Sequence, residues 1–392
     1  MRCRTGRACM RLAVLQQGRL RQLLATVTVV LGISLTPVMA SAGPFQKVFV
    51  FGDSLSDTGN VLTVTESVSR DPIPVSPPYF MGRFSNGPVW VETLAERLGL
   101  ELSPFLAGGT NFAFGGAEIG LDTEDVLERD VGVIIPSIRS QVQAFFAQHL
   151  FDGADSEALY ILWGGANDLR DALVTATDPL TQVQPAVDDL TAAIEDLADA
   201  GAVYFLVPNL PNLGRTPESR ARGPEGVARA TAVSVAFNNA LATALDTLEA
   251  ERGITIIRLD TFALLEEVVA DPAAFGFTNT TEACLAGDPF EGGTPCAQPE
   301  AYVFWDLIHP TAAAHALLAE FALAALPPLL PTPGDESPHD SIDISLPVPN
   351  LPMLQMWLET EVETGIALLL LPPSPLSFLH KALRGRELDL DR

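Results

Sequence analysis

Four short apolar runs constrain this chain more than any other feature. Val48–Phe51, Ala158–Trp163, Val203–Val207 and Ile254–Leu259 are rich in β-branched and aromatic residues and bounded by turn formers, which marks buried strands. Helical periodicity separates them. Val187, Leu190, Ile194 and Leu197 share one helical face, as do Val233, Phe237, Leu241, Leu245 and Leu248. Val89–Leu98 reads as a helix stopped by Gly99, and Ala312–Leu326 as another. Strand–helix alternation of this kind predicts an α/β domain with a parallel sheet covered on both faces. Sites in such sheets form at the carboxyl ends of the strands, so the residues there carry the functional argument.

The first run leads into Gly52-Asp53-Ser54-Leu55-Ser56-Asp57-Thr58-Gly59-Asn60. A serine at the sheet edge, with glycine allowing a sharp exit and a helix start beyond, suits a nucleophile beside an oxyanion. A helix-capping serine fits this segment equally well. Paired glycines follow an apolar segment in Asn111–Ala117, where one N–H can point at an oxyanion; a plain turn is the alternative. Asn167, in Trp163-Gly164-Gly165-Ala166-Asn167-Asp168, can donate to developing negative charge or make a local turn bond. Asp306-Leu307-Ile308-His309-Pro310 places a carboxylate three residues before a histidine. A carboxylate on one ring nitrogen fixes the tautomer and leaves the other free to take a serine proton. Pro310 suits the first turn of the helix that follows. Among the five histidines, only His309 joins a strand-to-helix turn with such a carboxylate; His149 and His315 sit in helical patterns, His339 in a proline-rich stretch and His380 near the C-terminus. Gly115–Gly120 does not make the GxGxxG turn of a dinucleotide site.

The ends of the chain read differently. Residues 1–22 hold six arginines and no acid, an apolar run Leu23–Leu35 follows, and Ala40-Ser41-Ala42 offers a small-residue cleavage site. That is the pattern of a secretory signal peptide over residues 1–42, and the run is short for a membrane span. Without these arginines the basic residues fall from 23 to 17 against 49 acids, a net charge of −32. Such a surface repels phosphate backbones and argues against nucleic-acid binding, while leaving neutral and zwitterionic substrates open. Cys284 and Cys296 are the pair that remains, and in an oxidising compartment they should form a disulfide contributing roughly 3 kcal/mol. Without nearby histidine or further cysteine they make a poor metal site. Residues 327–352 are rich in proline and acid, as linkers are. The apolar Gly365–Leu371, then Lys381, Arg384 and Arg386, make residues 331–392 a linker and a candidate tail for cell-envelope or membrane-surface association.

Taken together, the four blocks around Ser54, Gly116, Asn167 and His309 resemble the GDSL esterases and lipases, or SGNH hydrolases, in identity and order. Tyr79–Trp90 and Val207–Gly214 are similar to that family too, so the resemblance covers residues 46–327. It implies a flavodoxin-like three-layer α/β/α fold with a five-stranded parallel sheet in a hydrolase domain at 43–330. It also implies a serine hydrolase of carboxylic esters working through an acyl-enzyme. Ser54 would be the nucleophile, His309 the base and Asp306 its orienting carboxylate. The Ser54 and Gly116 N–H groups and the Asn167 side chain would hold the oxyanion, with Gly115 as the competing glycine. No metal or cofactor is implied; the partner is a small-molecule or lipid ester, and the location is outside the cytoplasm, secreted or in the cell envelope. A carbohydrate deacetylase would use the same triad, and a non-catalytic surface protein could share the scaffold. Tyr79, Phe80, Phe84 and Trp90 are candidates for pocket lining or for core.

Overall fold

A computed structural model describes residues 45–70, 72–120, 133–149, 153–287 and 292–327. The expected signal peptide and C-terminal tail lie outside the described residues. In chain order the helices and sheet strands are β1 (Lys47–Gly52), α1 (Asn60–Glu66), α2 (Trp90–Leu98), α3 (Ile138–Gln148), β2 (Ala158–Trp163), α4 (Ala166–Thr175), α5 (Val183–Ala198), β3 (Tyr204–Pro208), α6 (Pro217–Ala221), α7 (Gly223–Arg252) and β4 (Thr255–Leu259). Then come α8 (Thr261–Ala270), the short strands β5 (Asn279–Ala283), β6 (Leu285–Ala286), β7 (Thr294–Pro295) and β8 (Tyr302–Phe304), and α9 (Ala312–Ala325).

The sheet runs β1-β2-β3-β4, all parallel. Alternation along each strand separates two cores. Phe49, Phe51, Tyr160, Leu162, Phe205 and Ile256 face a cluster with α1, α3, α5 and α7. Val48, Val50, Leu159, Ile161, Leu206 and Ile257 face one with α2 and α9. Every residue of β2 is buried, as a central strand covered on both faces requires. The architecture is the expected three-layer α/β/α.

Among the described residues the sheet has four strands, where five were expected. The fifth position is occupied by extended chain at residues 110–114. Val50 N–H donates to Thr110 O at 3.1 Å, Phe112 N–H to Val50 O at 2.7 Å and Phe114 N–H to Gly52 O at 3.0 Å. The rung between the last two of these bonds, from Gly52 N–H, is taken by a side chain. Buried Gln141 accepts from Gly52 N–H and donates to Gly52 O, both at 2.9 Å. One bridge, Val50 to Asn111, therefore remains. Glycine is required at 52 by a close approach, since a Cβ there would lie 2.7 Å from Trp163 O.

Between β4 and α9 the chain builds a small annex. β5 pairs with β8 and β6 with β7, and the Cys284 and Cys296 sulfurs are at bonding distance. Cys284 packs with Tyr79, Leu285 and Trp305. Cys284 N–H and Leu285 N–H donate to Phe304 O and Trp305 O, so this annex braces the segment that leads into Asp306.

Candidate active site

Ser54 lies past the end of β1, inside a tight turn. Ser56 N–H and Asp57 N–H both donate to Asp53 O, and α1 begins only at Asn60, with Gly59 as its cap. The expected helix start directly after the serine is thus displaced by this turn. The turn is fixed by buried polar side chains. Asp57 accepts from Gly59, Asn60 and Val61 N–H groups and, across the sheet edge, from Gly115 N–H at 2.9 Å. Asn60 donates to Asn111 O and Ala113 O, while Asn111 donates to Ser56 O. Burial pushes the Asp57 carboxyl up to about 6 against the pull of those amides. Burial does the same to Asp53, also to about 6, with Leu55 N–H and the His309 charge opposing it.

The Asp57 bond separates the two glycines. Gly115 N–H is committed to a carboxylate, whereas the Gly116 and Ser54 N–H groups have no partner among the described residues. Gly116 has φ +86°, a left-handed value that glycine adopts without strain, and open space where a Cβ would stand. Asn167 is the second residue of α4, directly after Gly165. That glycine's φ is +103°, and a Cβ on it would strike the Phe237 ring at 2.8 Å. The Asn167 amide donates one hydrogen to Ala117 O at 2.9 Å, leaving its second hydrogen for a ligand. Its Oδ1 is approached by Arg170 Nη1 at 3.4 Å.

The structure brings Ser54, His309 and Asp306 into one chain of hydrogen bonds. His309 Nε2 is 2.8 Å from Ser54 Oγ, and its Nδ1 is 2.6 Å from Asp306 Oδ2. All three are buried. Asp306 Oδ1 accepts from the Ile308 and His309 N–H groups at 2.8 and 2.7 Å. Burial alone would raise this carboxyl, but the His309 charge and the hydrogen bonds from His309 and Tyr79 hold it below the usual carboxylate range. The turn from Trp305 to His309 is closed by Trp305 N–H donating to His309 O at 2.7 Å. Thr311, not Pro310, caps α9, its side chain accepting from Ala314 N–H; Pro310 stays outside, bridged to Phe304. His315 is a core residue that accepts from Trp90 N–H, and burial pushes it down to about 3.

Tyr79, named from sequence as lining or core, packs in the Cys284 cluster, and its link to the triad is what sequence reasoning missed. Its hydroxyl donates to Asp306 Oδ2 at 2.6 Å, across 227 residues of chain. Of the other aromatic candidates, Phe84 lies against the His309 ring at 5.3 Å, Trp90 donates to Ser56 Oγ and Phe80 sits under Arg83. None of the four lines the cleft beside Ser54. Tyr79→Phe should lower kcat on the order of tenfold with KM little changed, because one hydrogen bond to a charged group is lost. A pH–rate series checks this: a structural role alone would leave the shape of the profile unaltered.

A profile of the GDSL-like Lipase/Acylhydrolase family matches residues 48–322. The chain is 30% identical over 332 residues to a phosphatidylcholine-sterol acyltransferase of Aeromonas hydrophila, covering 74% of this chain and 92% of that one. It is 29% identical to a thermolabile hemolysin of Vibrio parahaemolyticus, covering 70% of this chain and 62% of that one. Among solved structures, a carbohydrate acetylesterase from Sinorhizobium meliloti aligns at 17% identity and TM-score 0.37, covering 71% of this chain and 96% of that one. The chain belongs to the GDSL-like lipase/acylhydrolase family. It is a carboxylic ester hydrolase.

Proposed function

We propose that the chain hydrolyses esters through a covalent acyl-enzyme on Ser54, with His309 as general base and acid and Asp306 as its orienting carboxylate. The observation that supports this most is the unbroken chain from Asp306 Oδ2 through His309 to Ser54 Oγ, with links of 2.6 and 2.8 Å. In the first half-reaction Ser54 Oγ bonds to the carbonyl carbon while its proton passes to His309 Nε2. The bond to the alcohol then breaks and the alcohol leaves with that proton. Water repeats the sequence in reverse roles, releasing the acid and restoring Ser54. The negative oxygen formed at each stage would be held by Ser54 N–H, Gly116 N–H and the free hydrogen of the Asn167 amide. The Aeromonas relative is named an acyltransferase; the same acyl-enzyme would pass its acyl group to an alcohol by the steps that pass it to water. The mature enzyme would begin near residue 43 and act outside the cytoplasm, with the Cys284–Cys296 pair oxidised.

Incubation with an alkyl fluorophosphonate tests the nucleophile directly. Peptide mass analysis should find one adduct, on Ser54, formed at a rate that falls when an ester substrate competes. An adduct elsewhere, or none in a protein that still turns over p-nitrophenyl esters, would overturn the assignment.

A further inference from the structure

Arg170 follows Asn167 by three residues on α4, so the two side chains rise from one face of the helix. It lines the cleft that holds Ser54 and His309. Its guanidinium has two partners. Nε and Nη2 make a two-point ion pair with Glu218, at 3.1 and 3.0 Å, and Nη1 lies 3.4 Å from Asn167 Oδ1. Glu218 is itself anchored, because its N–H donates at 3.0 Å to Leu307 O, in the turn that carries Asp306 and His309. Burial would raise the Glu218 carboxyl, but the hydrogen bond and charge of Arg170, with the charge of Arg222, hold it below the usual carboxylate range. The pair is therefore ionised at neutral pH.

An asparagine amide carries an oxygen on one arm and two hydrogens on the other. A half turn exchanges them with almost no change in shape, yet only one of the two orientations offers a hydrogen to an oxyanion. In this protein Nδ2 donates to Ala117 O at 2.9 Å while Oδ1 faces the Arg170 cation. The flipped amide would set its oxygen against a carbonyl oxygen and its NH₂ group against a positive charge. A cation at Oδ1 also draws electron density from the amide nitrogen, which makes the remaining N–H a stronger donor. We infer that Arg170 is a positioning residue of the oxyanion site: it holds the Asn167 amide with a hydrogen available to the reacting oxygen, and Glu218 holds Arg170. This rests on the oxyanion role proposed for Asn167 above.

A double-mutant cycle on p-nitrophenyl butyrate hydrolysis tests it. Arg170→Met keeps most of the apolar stem and removes the charge. It should lower kcat on the order of tenfold, the scale of a charge-assisted contact. KM should change little, because the contact matters once the oxygen carries charge. Asn167→Ala alone should cost on the order of 10²–10³ in kcat. In that background Arg170→Met should change kcat by less than about twofold, since no amide remains to be oriented. Arg170→Lys separates the ion pair from the amide contact. Its ammonium keeps Glu218 but lacks the fork that also reaches Asn167. Its kcat should therefore fall nearly as far as in Arg170→Met, with the thermal melt of wild type. Wild-type kcat in Arg170→Met or Arg170→Lys, or an undiminished effect of Arg170→Met beside Asn167→Ala, would overturn the inference. Wild-type kcat in Asn167→Ala would overturn the oxyanion assignment and this inference with it, so the silent variant shows which of the two has failed.

Discussion

Ser54→Ala should abolish ester turnover, lowering kcat on the order of 10⁶-fold, the scale seen when a triad serine is removed. The substitution deletes the atom that would bond to the acyl carbon, and nothing nearby replaces it. Asp53 is the adjacent side chain, but its Oδ1 already accepts from Leu55 N–H. The fold should survive. Ser54 Oγ makes its hydrogen bond to His309 alone, and alanine fits the same backbone without added volume. Some rate above the uncatalysed reaction should persist, because the backbone N–H groups and Asn167 side chain proposed to hold the oxyanion are untouched by the substitution. Steady-state hydrolysis of p-nitrophenyl butyrate together with a thermal melt checks both halves. Activity above about one per cent in a variant with an unchanged melt would mean another nucleophile.

Asp306→Asn should cost about 10⁴ in kcat, as loss of the orienting carboxylate does in serine proteases. The geometry here explains why an isosteric change would be so harmful. Oδ1 is held by two backbone N–H groups, of Ile308 and His309. An asparagine must keep its oxygen at that place, since an amide nitrogen there would face two donors. Its NH₂ group is then forced toward His309 Nδ1 and the Tyr79 hydroxyl, where the carboxylate had accepted from both. The imidazole can answer only by accepting at Nδ1, which puts its proton on Nε2. That nitrogen can no longer take a proton from Ser54. Measured activity within tenfold of wild type would show that the carboxylate does not set the tautomer.

Much of this was legible locally. The strands were readable because a parallel sheet covered on both faces needs unbroken apolar runs, and Ala158–Trp163 is one with no polar residue in it. The Asp306–His309 contact was readable because three residues of a turn bring the two side chains within reach. The Ser54 turn was harder. Its shape depends on Asp57 and Asn60 and on Asn111, 51 residues beyond Asn60, all of them buried polar residues. A signal existed in the polar letters that interrupt apolar stretches at both places, but nothing local says that Asp57 will take the Gly115 N–H and leave the Gly116 N–H free.

The sequence alone therefore determined the four strands of the sheet, the helices around Val89–Leu98, Val187–Leu197, Val233–Leu248 and Ala312–Leu326, their order, and which side chains are candidates for nucleophile, base and orienting acid. These properties follow from residue type and spacing, which act over one turn or one pleat. Only the tertiary structure decided that Gln141 would take the Gly52 N–H away from the extended segment beside β1, that Tyr79 would reach Asp306 from 227 residues away, and that apolar side chains of α8 and α9 would line the cleft that holds the serine. Hydrogen bonds and cavities are made between surfaces brought together by folding, and periodicity along a chain carries no record of the partner across the gap.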